Sequence, residues 1–209
     1  MLRMRIERVE ASRHKRGRVL VFLEDGACLK ITEQELLDFG LRAGDDLNEA
    51  ALAKLKEAAG VSNVKATAAD LIGKRAMSRA TLEKKLKEKG ASEAEARYAA
   101  EWLEAIGAIK DADYAALLVR HYGEMGYGPQ RVRDKLYEKG VPRELWEDAL
   151  DQLPDNGEQI DRILQSKLRG RTPDEKEKKR LTDALLRRGY PWGDVKAAWN
   201  RLGSAIWEE

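Results

Sequence analysis

The residues best equipped for chemistry in this chain are scattered. Two histidines, His14 and His121, stand about half the chain apart, and the single cysteine, Cys28, has no histidine or second cysteine near it in sequence. Nucleophilic or metal-assisted catalysis needs a thiol or imidazole with an orienting partner, and this set offers none. Gly73-Lys74 lacks the glycine five residues earlier that a phosphate-cradling loop requires, and it falls inside a helical pattern. Carboxylates are abundant, but they alternate with Lys and Arg as on solvated helix faces. They do not pair in the apolar surroundings that would shift their pKa. The expectation is a protein that is not an enzyme and uses no cofactor and no metal. Cys28 reads as a small buried apolar side chain. His121, beside Tyr122, reads as structural or as a phosphate contact.

What remains is the placement of charge. Lys84, Lys85, Lys87 and Lys89 crowd one segment, and Arg131, Arg133 and Lys135 occupy a second after Gly126-Tyr127-Gly128-Pro129. Lys178, Lys179, Arg180, Arg187 and Arg188 crowd a third, preceded by Arg169 and Arg171 in a glycine-containing loop. A basic strip recurring at equivalent places suits a long polyanion or a filament groove. The competing reading is plain solubility. Tyr127, flanked by glycines, is the aromatic expected to be exposed, whereas Trp102, Trp146, Trp192, Trp199 and Trp207 are expected to pack in the core or between units.

The elements that position these groups repeat. Gly90, Gly140 and Gly189 are spaced 50 and 49 residues apart. Eight and four residues before each lie Leu82 and Leu86, Val132 and Leu136, Leu181 and Leu185, the buried stripe of a helix that the glycine terminates. After each glycine a second stripe follows at i, i+3, i+4, i+7. Its members are Ala96/Ala99/Ala100/Leu103, Trp146/Ala149/Leu150/Leu153 and Val195/Ala198/Trp199/Leu202. Ser92 with Glu95, then Pro142 and Pro191, mark the starts of these helices. A further helix precedes each pair: Ala68–Ala76, Asp113–Tyr122 with Tyr114/Leu117/Leu118, and Gly157–Leu168 with Ile160/Ile163/Leu164. The expected fold is therefore mainly α: three tandem three-helix repeats, at 65–110, 111–155 and 156–209, in an elongated curved array.

Residues 1–64 form a separate N-terminal segment. The β-rich runs Arg18–Leu23 and Ala27–Ile31 flank Glu24-Asp25-Gly26, a hairpin signal, and a strand near Met4–Val9 can join them. Ser12-Arg13-His14-Lys15-Arg16-Gly17-Arg18 becomes a basic connection, either a phosphate or acidic-surface contact or a soluble loop. Thr32 with Glu35 forms a capping box for a short helix ending at Gly40, and Asp46 with Glu49 starts another running towards Gly60.

Of the 209 residues 36% are charged, yet the net charge is only +2. Residues 1–18 carry seven basic groups and two acids, while residues 111–155 carry six and ten, net −4. The chain thus has basic ends and an acidic middle, which can guide a partner or simply solvate helix faces. The longest aliphatic run is far shorter than the roughly 20 residues of a membrane helix, and the first residues lack a signal peptide's apolar stretch. One cysteine fits a reducing, cytoplasmic compartment.

The run Tyr98-Ala-Ala-Glu-Trp-Leu-Glu-Ala-Ile-Gly-Ala-Ile-Lys-Asp-Ala-Asp-Tyr114, with Val119-Arg120-His121-Tyr122 and Gly126-Tyr127-Gly128-Pro129-Gln130-Arg131-Val132, resembles the RecX family. Lys139-Gly140-Val141 and Leu185-Leu186-Arg187-Arg188-Gly189-Tyr190 fit its second and third repeats, so the resemblance covers about residues 65–205. It implies a bacterial, cytoplasmic, monomeric regulator of the RecA recombinase in DNA repair and the SOS response. Such a protein lies in the RecA–DNA filament groove and inhibits strand exchange and ATP hydrolysis, with weak affinity for single- or double-stranded DNA. The candidate contact residues are then Lys84, Lys85, Arg120, Tyr127, Arg131, Arg133, Lys135, Arg169, Arg171, Lys179, Arg180, Arg187 and Arg188. The acidic middle departs from a uniformly basic face and suits contact with protein instead of DNA. The rival readings are a stand-alone DNA-binding helical-repeat protein and a scaffold for an unrelated partner.

Overall fold

The computed structural model describes residues 3–206, with side chains through residue 203. Contacts divide it into two compact units, Met1–Arg75 with Leu82–Ile109, and Ala76–Thr81 with Lys110–Glu209.

The first unit opens with strands β1 (Arg3–Ala11), β2 (Arg18–Leu23), β3 (Cys28–Thr32) and, after helix α1 (Glu33–Asp38), β4 (Asp46–Asn48). The sheet order is β3-β2-β1-β4, antiparallel at every pairing. Gly26 turns the β2–β3 hairpin with φ +81°. Alternation along the strands buries Val19, Val21, Leu23 and Ile31 on one face, where Ile6, Leu55 and Ala59 complete a core. The same alternation puts Cys28 on the solvent face: it is exposed, not buried. The Thr32/Glu35 capping box forms as expected.

Two expectations fail here. Asp46 is not a helix start but pairs with Arg5 across β1 and β4; the cap is Asn48, whose Oδ1 accepts from the Ala51 N–H at 2.8 Å. The helix it starts, α2 (Glu49–Lys74), does not stop at Gly60 but runs on through the segment expected to be a separate helix from Ala68. Gly60 serves close approach: a Cβ there would meet Glu95 Oε1 at 3.0 Å. Helices α3 (Arg79–Glu88) and α4 (Glu93–Ala105) follow. Lys65 of α2 lies over the rings of Tyr98 and Trp102 on α4, at 4.8 and 5.1 Å. Ser92 and Glu95 form a second capping box, which holds the Glu95 carboxyl below its usual range through the Ser92 N–H and hydroxyl.

The second unit contains α5 (Asp111–Glu124), α6 (Pro129–Glu138), a 3₁₀ turn at Arg143–Leu145 leading into α7 (Trp146–Leu150), then α8 (Asn156–Leu168), α9 (Glu175–Arg187) and α10 (Trp192–Ile206). Two cores form, one around Val119, Val132, Leu136 and Leu150, the other around Ile160, Leu164, Leu185 and Val195. The stripe of α5 is Ala115, Leu118 and Val119; Leu117, expected inside, is 55% exposed. Trp146 and Trp199 pack as expected, their Nε1–H groups donating to Val141 O (3.0 Å) and Thr182 Oγ1 (2.9 Å). Trp192 is instead exposed, at 59%, and Trp207 lies outside the described residues.

Gly90, Gly140 and Gly189 all adopt positive φ, +95°, +66° and +89°, closing α3, α6 and α9. The mainly α fold with three-helix repeats and a small N-terminal sheet is as the sequence led us to expect.

Candidate functional site

Lys84 and Lys85 lie on α3 in the first unit; the other candidate contact residues lie in the second. Their surroundings sort them into three groups.

The first group is neutralised locally. On α6, Arg131 pairs with Asp134 (3.6 Å), Arg133 with Glu147 (3.2 Å) and Lys135 with Glu138 (2.6 Å). The Lys135 bond holds the Glu138 carboxyl below its usual range. Near α9, Arg171 and Arg180 share Glu177, at 3.6 and 3.5 Å. Three of the ten acids of residues 111–155 are thus taken up by the cations of α6. Such exposed pairs contribute little to stability, roughly 0–1 kcal/mol each, but they lower the field that reaches a partner.

The second group is structural. The Tyr127 ring stacks on Tyr122 with centroids 5.8 Å apart and an interplanar angle of 13°, packed against the core of the second repeat. It is thus not the free aromatic its glycine neighbours suggested. The Arg188 guanidinium donates to Gly126 O (3.2 Å) and Met125 O (3.4 Å), at the C-terminal end of α5 where carbonyls lack helical partners. The Tyr190 hydroxyl donates to the same Gly126 O at 3.3 Å. The motif Gly126-Tyr127-Gly128 and the motif Arg188-Gly189-Tyr190 are therefore two halves of one joint. Gly128 N–H donates to Arg188 O (2.8 Å) and Gln130 N–H to Gly189 O (3.1 Å).

The same joint recurs with different chemistry at residues 76–81. Ser78, fully buried, donates from Oγ to Lys139 O at 2.7 Å, and Thr81 Oγ1 donates to the same oxygen at 2.9 Å. Counting back from the terminal glycines, Ser78 matches Gly128 and Lys139 matches Arg188. In each case the start of a middle helix receives the carbonyl just before a glycine turn from farther along the chain.

The third group is available. Among the described residues, Lys84, Lys85, Arg120, Arg169, Lys179 and Arg187 have no carboxylate partner. All but the half-buried Lys85 are exposed, and Arg169 is held at φ +48° at the end of α8. Leu186, on α9 with Lys179 and Arg187, is 38% exposed, and Tyr137, on α6, is 68%. Sequence reasoning had assigned no exposed apolar residue to either helix, because Tyr137 and Leu186 fall between the buried positions.

Among the described residues, no cluster of His, Cys, Asp and Glu is placed to hold a metal, and no helix is long and apolar enough to cross a membrane. His14 and His121 are both exposed.

These repeats match known proteins. Family models for the second and third three-helix domains of RecX match residues 111–150 and 155–199. The regulatory protein RecX of Pseudomonas putida is 32% identical over 130 residues, covering 61% of this chain and 83% of that protein. The RecX of Ectopseudomonas mendocina is 34% identical over 129 residues, covering 61% and 86%. Two solved structures share the fold at 22% identity. A regulatory protein RecX has a TM-score of 0.70 over 94% of this chain and 99% of its own, and RecX from Lactobacillus salivarius has 0.62 over 69% and 97%. With its glycine-closed three-helix repeats and relatives matched over most of their length, the chain belongs to the RecX family of regulatory proteins.

Proposed function

We propose that this chain is a non-enzymatic negative modulator of the RecA recombinase, which binds in the groove of the RecA–DNA filament and inhibits strand exchange and ATP hydrolysis. The observation that carries the reading is the mixed character of α9. Among the described residues, Lys179 and Arg187 stand exposed without carboxylate partners, while Leu186 on the same helix presents an apolar side chain. A filament of protein wound on DNA offers both phosphate and apolar protein surface, and a helix of this kind addresses both. A stand-alone DNA-binding protein is the weaker reading, since a net charge of +2 supplies little long-range attraction.

The test is RecA ATPase on single-stranded DNA with this protein titrated in. Inhibition that saturates at low micromolar concentration supports the reading, and an unchanged rate at micromolar excess rules it out.

A further inference from the structure

The N-terminal unit holds a cleft that the family reading does not use. Its volume is about 420 Å³, and it opens between the β1–β2 loop, the β2–β3 face and α2. The lining is Ser12, His14, Lys15, Arg18, Leu20 and Lys30 on one side, with Asn63, Ala66 and Thr67 of α2 on the other. Three cations, an imidazole and three polar side chains converge there, and no carboxylate is among the lining residues. Leu20 and Ala66 supply an apolar surface between them. We propose that this cleft binds the phosphate backbone of a single nucleic-acid strand.

The walls are fixed before any ligand arrives. Arg18 donates to Ser62 Oγ (2.9 Å) and Ser62 O (2.7 Å), which holds its guanidinium at the cleft while leaving other N–H groups for an anion. Asn63 Nδ2 donates to Lys30 O at 2.8 Å, tying β3 to α2. Ser12 Oγ accepts from the His14 and Lys15 N–H groups at 3.4 and 3.3 Å, and Gly17 at φ +74° turns the loop back into β2. Lys15 is engaged by Asp70 at 2.7 Å, outside the lining, and its ammonium keeps further donors for a phosphate. Preorganisation of this kind cuts the ordering cost of binding.

The shape favours a chain over a small ion. Asn63 and Thr67 also line a second cavity of about 210 Å³ that reaches Lys89 and Gly90, with one carboxylate, Glu95, which the Ser92 N–H and hydroxyl already engage. A strand crossing α2 at those residues meets Lys15, Arg18 and Lys30 first and Lys89 next. Arg13 and Arg16, exposed on the same β1–β2 loop, add to the attractive field near the cleft. Apolar floor between cations suits sugars and bases between phosphates.

The experiment uses the full chain without RecA, so its outcome is separate from that of the ATPase titration. Binding of a fluorescently labelled 12-nucleotide oligothymidine is followed by anisotropy for the parent protein and for Lys15→Gln/Lys30→Glu. We expect the double variant to bind at least tenfold more weakly. The slope of log affinity against log salt should shrink by about 1–2, and the unfolding midpoint should stay unchanged. Inorganic pyrophosphate and poly-glutamate serve as competitors. Equal affinity of the two proteins overturns the proposal. So does displacement of the oligonucleotide by millimolar pyrophosphate, which indicates a small-anion site, or by poly-glutamate at equal charge, which indicates an acidic-protein site.

Discussion

Gly128 and Gly189 meet backbone to backbone: a Cβ built on Gly128 would stand 2.6 Å from the carbonyl carbon of Gly189. Gly189 presses in turn on the backbone of Arg131 at the start of α6. Gly90, at the position equivalent to Gly189 two repeats earlier, has no atom within 4 Å of such a Cβ. Gly90 and Gly189, which look alike in sequence, are thus held by different forces. Gly90→Ala meets only the left-handed backbone penalty, about 1–2 kcal/mol. Gly128→Ala, with an ordinary extended backbone, and Gly189→Ala, with the left-handed penalty as well, must push the touching backbones apart and lose the bonds from Gly128 and Gln130, a cost of about 3 kcal/mol or more. Urea unfolding of the three variants should show that order.

Tyr190 links the same joint to pH. Burial raises the pKa of its phenol above the ordinary 10.0, with Arg188 opposing the shift. The folded chain therefore holds that proton more tightly than the unfolded one. The contribution is fully present below pH 10 and is lost as pH rises through the folded value. Tyr190→Phe also loses the bond to Gly126 O, at about 0.5–1.5 kcal/mol. Thermal midpoints measured from pH 8 to 11 should fall less steeply above pH 10 for Tyr190→Phe than for the parent. Parallel curves would show that the phenol ionises equally in both states.

Ser78 and Thr81 both donate to Lys139 O, so their losses should not add. Ser78→Ala, at a fully buried position, is expected to cost about 1–3 kcal/mol. Thr81→Val should cost less, since Ser78 still satisfies the carbonyl. The double variant should fall short of or exceed the sum by about 0.5 kcal/mol or more, read from a double-mutant cycle of urea midpoints.

The sorting of cations separates binding from folding. Lys179→Glu/Arg187→Glu should weaken RecA inhibition at least tenfold with an unchanged unfolding midpoint. Arg188→Ala should lower the midpoint instead, because it strips donors from Gly126 O and Met125 O. Arg133→Ala, which releases Glu147 only, should do neither strongly. Inhibition titrations paired with melting curves check all three, and an Arg188→Ala protein with native stability and lost inhibition would reverse the assignment.

The repeat was legible because its signals are local. A glycine after a helix, two buried residues one and two turns before it, and a matched stripe after it are set by 3.6-residue periodicity and positive φ. What escaped was set at longer range. Gly60 looks like a helix stop, yet α2 runs straight through it, past the Glu95 side chain of α4. Cys28 looks like a core residue until the register of β2 and β3, with Phe22 opposite Cys28, decides the face. The same limit governed the candidate site. The basic clusters were visible residue by residue, but Glu147, which neutralises Arg133, and the carbonyls that hold Arg188 lie far off in sequence. The basic loop before Arg18 was visible as charge; that α2 closes it into a cleft was not.

The joint at Gly126 also sets an order of events during synthesis. The ribosome releases α6 before the residues that seal its start exist: Gly126 O waits for Tyr190, 64 positions later, and for Arg188, 62 later. Until then the N–H groups of Gly128 and Gln130 can be served only by water. A nascent chain halted before residue 188 would carry its second repeat with an open seam. The third repeat is therefore the one that finishes its predecessor.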